Sequence, residues 1–153
     1  MPVMVVLPWR WSGEPRSQTA LLFASRFDGR GFRQAWRLLT GGMRLRRAVL
    51  GAPGALGVSL RAYPLQGRYY TLSLWQDQES LLAFAHGLAH RRAARSMAEL
   101  GPVRGVLVSR DADPRQRPTW RDTTRWLTAL DTGPYRHQPR PAPVGSDPVL
   151  RER

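Results

Sequence analysis

The sequence contains no cysteine. Disulfides, thiolate metal sites and cysteine nucleophiles are therefore excluded. The composition fits a reducing compartment, so the expected location is the cytoplasm. Lysine is absent too. All 24 basic residues are arginine, a bias that matches codon pressure in a GC-rich genome. No apolar run approaches the ~20 residues needed to span a bilayer. The apolar start over residues 1–8 has neither a basic leader nor a small-residue cleavage site, and reads as a strand rather than a signal peptide. Also missing are a Gly-rich phosphate loop, a nucleotide-binding fingerprint, a Gly-x-Ser-x-Gly elbow and a paired-carboxylate signature. A hydrolase or a kinase has no support.

What is present suits a single domain. The chain has 153 residues, 42% of them hydrophobic, enough to bury a core without staples. The formal net charge of +13 favours acidic partners. Yet the arginines are spread along the chain with no block of five or six like charges, so a solvated basic surface is favoured over a nucleic-acid site. With no spanning segment, the membrane contact left open is peripheral association with an anionic surface.

Residues 2–7 form an expected first strand, followed by a polar connection from Pro8 to Gln18. The second strand runs from Thr19 to Phe27, with Leu21, Phe23 and Phe27 on one face by the two-residue period. Helix one is expected over residues 31–50. Phe32, Trp36, Leu39 and Met43 recur at helical spacing and make its core-facing stripe, while Gly41-Gly42 predicts a kink or a close backbone approach. After Pro53-Gly54 comes a hairpin. Its first strand, Ala55 to Tyr63, carries Leu56, Val58, Leu60 and Ala62 on one face. Pro64 to Gly67 connects it to Arg68–Trp75, where Tyr70, Leu72 and Leu74 oppose Tyr69, Thr71, Ser73 and Trp75.

Asp77 is a credible N-cap for helix two, expected to run unbroken to Leu100 with Leu81, Leu82, Ala85, Leu88, Ala89 and Ala93 buried. A strand from Val103 to Arg110 and a short helix opening at Pro118-Thr119-Trp120 complete the domain, residues 1–130. Residues 131–153, with five prolines, predict a flexible Pro/Arg-rich tail. From residue 19 the order is strand, helix, strand, strand, helix, strand. That is the α+β, ferredoxin-like split βαβ arrangement with an antiparallel sheet. Its helices cover one sheet face. The open face, expected to carry Ser59, Arg61, Tyr63, Tyr69, Thr71, Ser73 and Trp75, needs a cover, and a second subunit's sheet would supply it.

Four segments carry a family likeness: residues 53–57, residues 70–75 ending in Trp75, residues 77–84, and Gly87-Leu88-Ala89-His90-Arg91. In order and spacing they resemble the antibiotic-biosynthesis-monooxygenase-like dimeric α/β barrels. The closer likeness is to the spheroidene monooxygenase-like branch, which tends to end in a Pro-x-Trp segment such as Pro118-Thr119-Trp120. The resemblance implies a homodimer that oxygenates or binds a hydrophobic small molecule, polycyclic or isoprenoid. Some relatives work with no cofactor and others bind haem. The competing reading is a non-catalytic binding or scaffold module with a basic surface.

His86 and His90 lie four apart on the expected helix two and would share a face. A metal pair is disfavoured for want of a third ligand, leaving two polar residues at a core boundary. His90 sits where the resembling family has its histidine, which makes it the catalytic candidate as an acid/base or hydrogen-bond donor. A structural tie between helix and sheet is the alternative. The resemblance implies a tryptophan and a histidine further along this helix in haem-degrading relatives. Phe84 and Ala94 stand there instead, a departure that argues against haem breakdown. Trp36, Tyr70, Trp75 and Phe84, with Phe32 and His86, are the expected substrate-binding set, although aromatic stripes also build plain core. Arg44, Arg46 and Arg47 form the densest basic cluster, either holding an acidic group at a pocket mouth or simply solvated.

Overall fold

The structure is a computed structural model that describes residues 3–29, 31–99, 104–128 and 133–134, with the side chains of 97, 98, 133 and 134 left aside. A six-stranded antiparallel sheet has the order β1-β3-β4-β2-β5-β6. Its strands are β1 (Val5–Trp11), β2 (Ala20–Asp28), β3 (Ala55–Tyr63), β4 (Arg68–Trp75), β5 (Arg104–Ala112) and the two-residue β6 (Gly133–Pro134). The helices are α1 (Phe32–Leu50), α2 (Gln78–His86), α3 (Leu88–Ala98) and α4 (Trp120–Thr128). This is the expected α+β, ferredoxin-like fold.

Strand β1 is longer than expected and takes in Pro8, Trp9, Arg10 and Trp11. An edge position tolerates a proline, whose missing N–H costs no ladder bond there. The register against β3 shifts between Leu7 and Arg10, beside that proline. The β3–β4 hairpin turns through a single 3₁₀ turn, Pro64–Gln66, closed by Gly67 at φ +67°. Only glycine adopts that conformation cheaply. The carbonyl of Gly67 accepts the Gly29 N–H at 2.8 Å, which ties the hairpin to the end of β2.

Two face assignments are corrected. A register shift between Ala55 and Gly57 puts a bulge in β3. Leu56 therefore joins the cluster that packs with Trp126 and Leu127, while Val58 joins the one with Val49, Trp75 and Leu81. On β4 the face shared with Arg61 and Tyr63 carries Tyr70, which meets Tyr63 edge-on at 6.1 Å. Trp75 lies on the helix side against Phe84. The expected open face had this pairing inverted for β4, because alternation alone does not say which of its two sets joins which set of β3.

That second face is covered in part by α4 of the same chain, which packs on β2 and adds Trp126 and Leu127 to the core with Ala24, Leu72 and Leu74. Thr119 caps α4. Its hydroxyl donates to Asp122 at 2.8 Å, and its carbonyl accepts from the Thr123 hydroxyl at 2.8 Å. A cover expected from a second subunit is therefore supplied, over this area, from within.

Helix α1 runs unbroken through Gly41-Gly42. Gly42 is where it approaches the sheet: a Cβ there would touch the Leu60 side chain at 3.4 Å. The face it buries is not the expected one. Leu38 reaches Gly29 and Val49 is buried, whereas Phe32 is 85% exposed and Trp36 62%. The helix is apolar on two sides, and the sheet takes the side carrying Leu38, Gly42 and Val49. Helix two is in fact two helices. Gly87 is extended, at φ −72° and ψ 164°, and separates α2 from α3. Leu88 and Ala89 are consequently exposed instead of buried. Most of the tail, residues 135–153, lies outside the described residues, but Gly133–Pro134 pairs with Gly105 and Arg104 as an edge strand. No helix among the described residues is long and apolar enough to cross a membrane.

Candidate functional site

On the helix side, α1 stands away from the sheet where β1 begins, and the gap is an apolar cavity of about 190 Å³. Val5 and Leu7 of β1, Leu60 of β3, and Trp36, Leu39 and Met43 of α1 line it. The geometry follows from local sequence. Gly42 lets α1 touch Leu60, while the bulky Trp36, nearly two turns earlier, lines the cavity and stays largely exposed. Apolar walls with few polar groups are what a small hydrophobic ligand requires.

Three hydroxyl-bearing residues of β4 border this cavity, Tyr69, Tyr70 and Thr71, and of these the Tyr70 ring belongs to the cluster on the opposite sheet face. The Thr71 hydroxyl is bonded to that of Ser25. The Tyr69 hydroxyl is buried and has no hydrogen-bond partner among the described residues. Burial raises its pKa above the ordinary 10.0, because the phenolate would lose its hydration. Tyr69 therefore presents a neutral O–H donor in an apolar wall. Alternation had assigned Tyr69 to the other sheet face, and the unspent hydroxyl has no sequence signature.

The expected site residues are distributed over three places. Trp36 lines the cavity. Tyr70 borders it too, but its ring packs on the opposite face, edge-on to Trp120 at 6.3 Å. Trp75, Phe84 and His90 form a stack under α2 and α3, with ring centroids at 5.2 Å for the first pair and 5.9 Å for the second. Trp75 also donates its indole N–H to Ser73 at 2.9 Å. His86, at the end of α2, is exposed. The break at Gly87 removes the shared helical face on which its pairing with His90 rested. Phe32 is exposed and lines no part of the cavity.

Arg44, Arg46 and Arg47 do not line the cavity either. Arg46 donates to the Pro8 carbonyl at 3.3 Å, while Arg44 and Arg47 are exposed. No group of three or more His, Cys, Asp or Glu among the described residues is placed to hold a metal ion. The cavity also does not suit haem. It is small for a macrocycle, and no histidine among the described residues lines it.

On the other sheet face, a wider cleft of about 910 Å³ opens between β1, β3 and α4. Arg61, Arg117, Arg121 and Arg125 line it, and so do the rings of Trp9, Tyr63 and Trp120. The Arg61 guanidinium lies 5.1 Å from the centre of the Trp120 ring, a cation–π contact.

No protein-family model matches the sequence, and no curated protein matches it. Several solved structures do. A candidate monooxygenase from Fusobacterium nucleatum superposes with a TM-score of 0.55 at 9% identity, covering 72% of this chain and 48% of that one. A candidate antibiotic biosynthesis monooxygenase from Deinococcus radiodurans gives 0.52 at 11%, covering 65% and 96%. One from Caulobacter crescentus gives 0.50 at 19%, covering 63% and 90%. Identities this low speak to architecture alone. The chain has the ferredoxin-like α+β fold of the antibiotic-biosynthesis-monooxygenase-like proteins.

Proposed function

We propose that the protein is a monooxygenase for a hydrophobic small molecule, with the substrate in the cavity between α1 and the sheet. The observation that carries this reading is the pairing of an apolar enclosure with one unspent donor, the Tyr69 hydroxyl. Val5, Leu7, Leu39, Met43 and Leu60 would hold an apolar body and exclude water. Tyr69 would donate to a carbonyl or hydroxyl oxygen on that body, fixing its orientation and stabilising negative charge that develops there. A polycyclic or isoprenoid skeleton with one oxygen function fits this chemistry, and the likeness to the spheroidene monooxygenase-like branch belongs to the same reading. His90 lies outside the cavity lining.

The test is incubation under ¹⁸O₂ with a panel of polycyclic phenols and isoprenoid alcohols, with and without a two-electron reductant that takes the second oxygen atom to water. One labelled atom per product molecule, seen by mass spectrometry, supports the reading. Saturable binding with no label in any product would make the protein a binding module.

The assembly we propose is a homodimer. Val3, Met4, Val5, Phe32, Trp36 and Met43 are large apolar residues left exposed at the start of β1 and on α1, and a partner surface would bury them. A second copy seated there would also close the mouth of the cavity beside Trp36 and Met43. Sedimentation showing a monomer at micromolar concentration would remove this assembly.

A further inference from the structure

The cleft under α4 has no part in the proposed reaction and lies on the opposite face of the sheet. We propose that it is a second binding site, for a small planar aromatic molecule carrying a carboxylate or a phosphate.

Charge makes the first half of the argument. Arg61, Arg117, Arg121 and Arg125 all line one cleft, and no acidic residue among the described ones does. None of the four enters an ion pair among the described residues. The ion pairs seen there, Arg26–Asp28 at 2.9 Å and Arg37–Glu99 at 3.2 Å, lie elsewhere. Arg121 and Arg125 stand one helical turn apart on α4, and Arg117 lies in the loop that leads into it. Like charges at that spacing repel. The acid nearest in sequence, Asp122, is held by the Thr119 hydroxyl as part of the α4 cap. An anion in the cleft would meet several guanidinium forks at once and relieve their repulsion.

Unspent donors and rings make the second half. The Arg61 Nε–H and the Trp9 indole N–H are both buried without a hydrogen-bond acceptor among the described residues. Both side chains line this cleft. A buried donor without an acceptor is unusual enough to need a reason, and an acceptor-rich ligand supplies one. Trp9, Tyr63 and Trp120 provide apolar faces beside the arginines. A flat aromatic body stacks on such faces while its charged end reaches the cations. At about 910 Å³ the cleft has room for such a molecule.

Calorimetry on the full chain at low salt tests the proposal with four probes: 2-naphthoate, 2-naphthyl phosphate, neutral 2-naphthamide and inorganic phosphate. The expected result is that one or both aryl anions bind at least about ten-fold more tightly than the amide and than inorganic phosphate, through the charge-assisted bonds. The tighter of the two names the head group. The double variant Arg121→Gln/Arg125→Gln, at exposed positions, should weaken that binding by about ten-fold. Arg91→Gln/Arg92→Gln removes the same charge from exposed positions on α3 and should leave it within about two-fold.

An amide that binds as well as the anions would reduce the cleft to an apolar surface and overturn the proposal. Equal losses in the two double variants would reduce it to an effect of net charge. An oligonucleotide that displaces the aryl anion with a steep salt dependence would make the cleft a nucleic-acid surface instead. Each of these outcomes is independent of ¹⁸O incorporation, so failure here leaves the oxygenase reading standing, and the reverse holds too.

Discussion

Trp120 donates its indole N–H to the Ser59 hydroxyl at 3.0 Å, and Ser59 donates in turn to the Leu7 carbonyl at 2.9 Å. This relay links α4 to β3 and β1, and it anchors the helix that closes the second sheet face. It also fixes the floor of the arginine cleft, since Arg61 stacks on the same Trp120 ring.

If α4 is part of the folded core, its buried side chains must contribute to stability. Leu127 is fully buried among Ala24, Leu72 and Leu74. Leu127→Ala should cost about 2–5 kcal/mol through lost burial and a residual cavity. Urea unfolding followed by circular dichroism measures this. A loss under about 0.5 kcal/mol, as for an ordinary surface change, would show that α4 is not docked on the sheet.

Helix α2 begins at a side-chain cap. Asp77 accepts the Ser80 backbone N–H at 2.7 Å. That bond and the Ser80 hydroxyl lower its pKa from 3.8, because they favour the carboxylate. The depressed pKa sets the sign. The stabilisation is present above the unfolded value and is lost as pH falls through the folded one. Asp77→Ala should cost about 1 kcal/mol at pH 7. The gap between variant and parent should close on acidification. A gap of constant size down to pH 2 would mean that the carboxylate charge plays no part in the cap.

Much of the fold was legible because periodicity is strong where one face is buried. Strands β2 to β5, helix α1 and the Asp77 cap all follow from alternation, helical spacing and turn residues. The misplacements have particular causes. Alternation yields two sets per strand but not their absolute face, so Tyr69 and Tyr70 were exchanged, and the bulge after Ala55 moved Leu56. Helix α1 is apolar on two sides, and the aromatic side was the more conspicuous one although the sheet takes the other. Gly87 was visible in the sequence, but one glycine does not by itself end a helix. The candidate site was the least legible part. The Tyr69 donor and the convergence of Arg61, Arg117, Arg121 and Arg125 depend on contacts between elements far apart in the chain.

His90 is half-buried at the edge of the Trp75–Phe84 stack, outside the lining of both cavities described above. His90→Ala should therefore lower stability by about 0.5–1.5 kcal/mol, the worth of an aromatic ring pair. Ligand binding in the α1 cavity should keep its affinity per folded molecule. His86→Ala, at an exposed position, should change neither. If His90→Ala abolishes turnover while the unfolding midpoint holds, the imidazole reaches the substrate and is a catalytic group.

Tyr69→Phe gives the sharpest separation between structure and function. Its hydroxyl has no partner among the described residues, so deleting it breaks no internal hydrogen bond. Removing a buried, unsatisfied polar group is neutral or mildly stabilising. At pH 7 the variant should unfold at the same urea concentration as the parent or a slightly higher one. At high pH the two should diverge. The folded-state pKa is raised by burial, so the unfolded chain releases its proton first as pH rises. Stability contributed by the neutral phenol is complete below the unfolded value of about 10 and is lost as pH climbs through the folded value. Phenylalanine cannot titrate, so the variant should lose less stability than the parent above pH 10. Binding should move the opposite way. A ligand oxygen that accepts from Tyr69 loses about 0.5–1.5 kcal/mol of affinity in the variant, while a hydrocarbon of the same shape loses none. Fluorescence titration with a matched pair, one ketone and its deoxygenated counterpart, measures the difference. Equal affinities of the variant and the parent for the ketone would mean that Tyr69 does not touch the ligand, and would take the donor out of the proposed site.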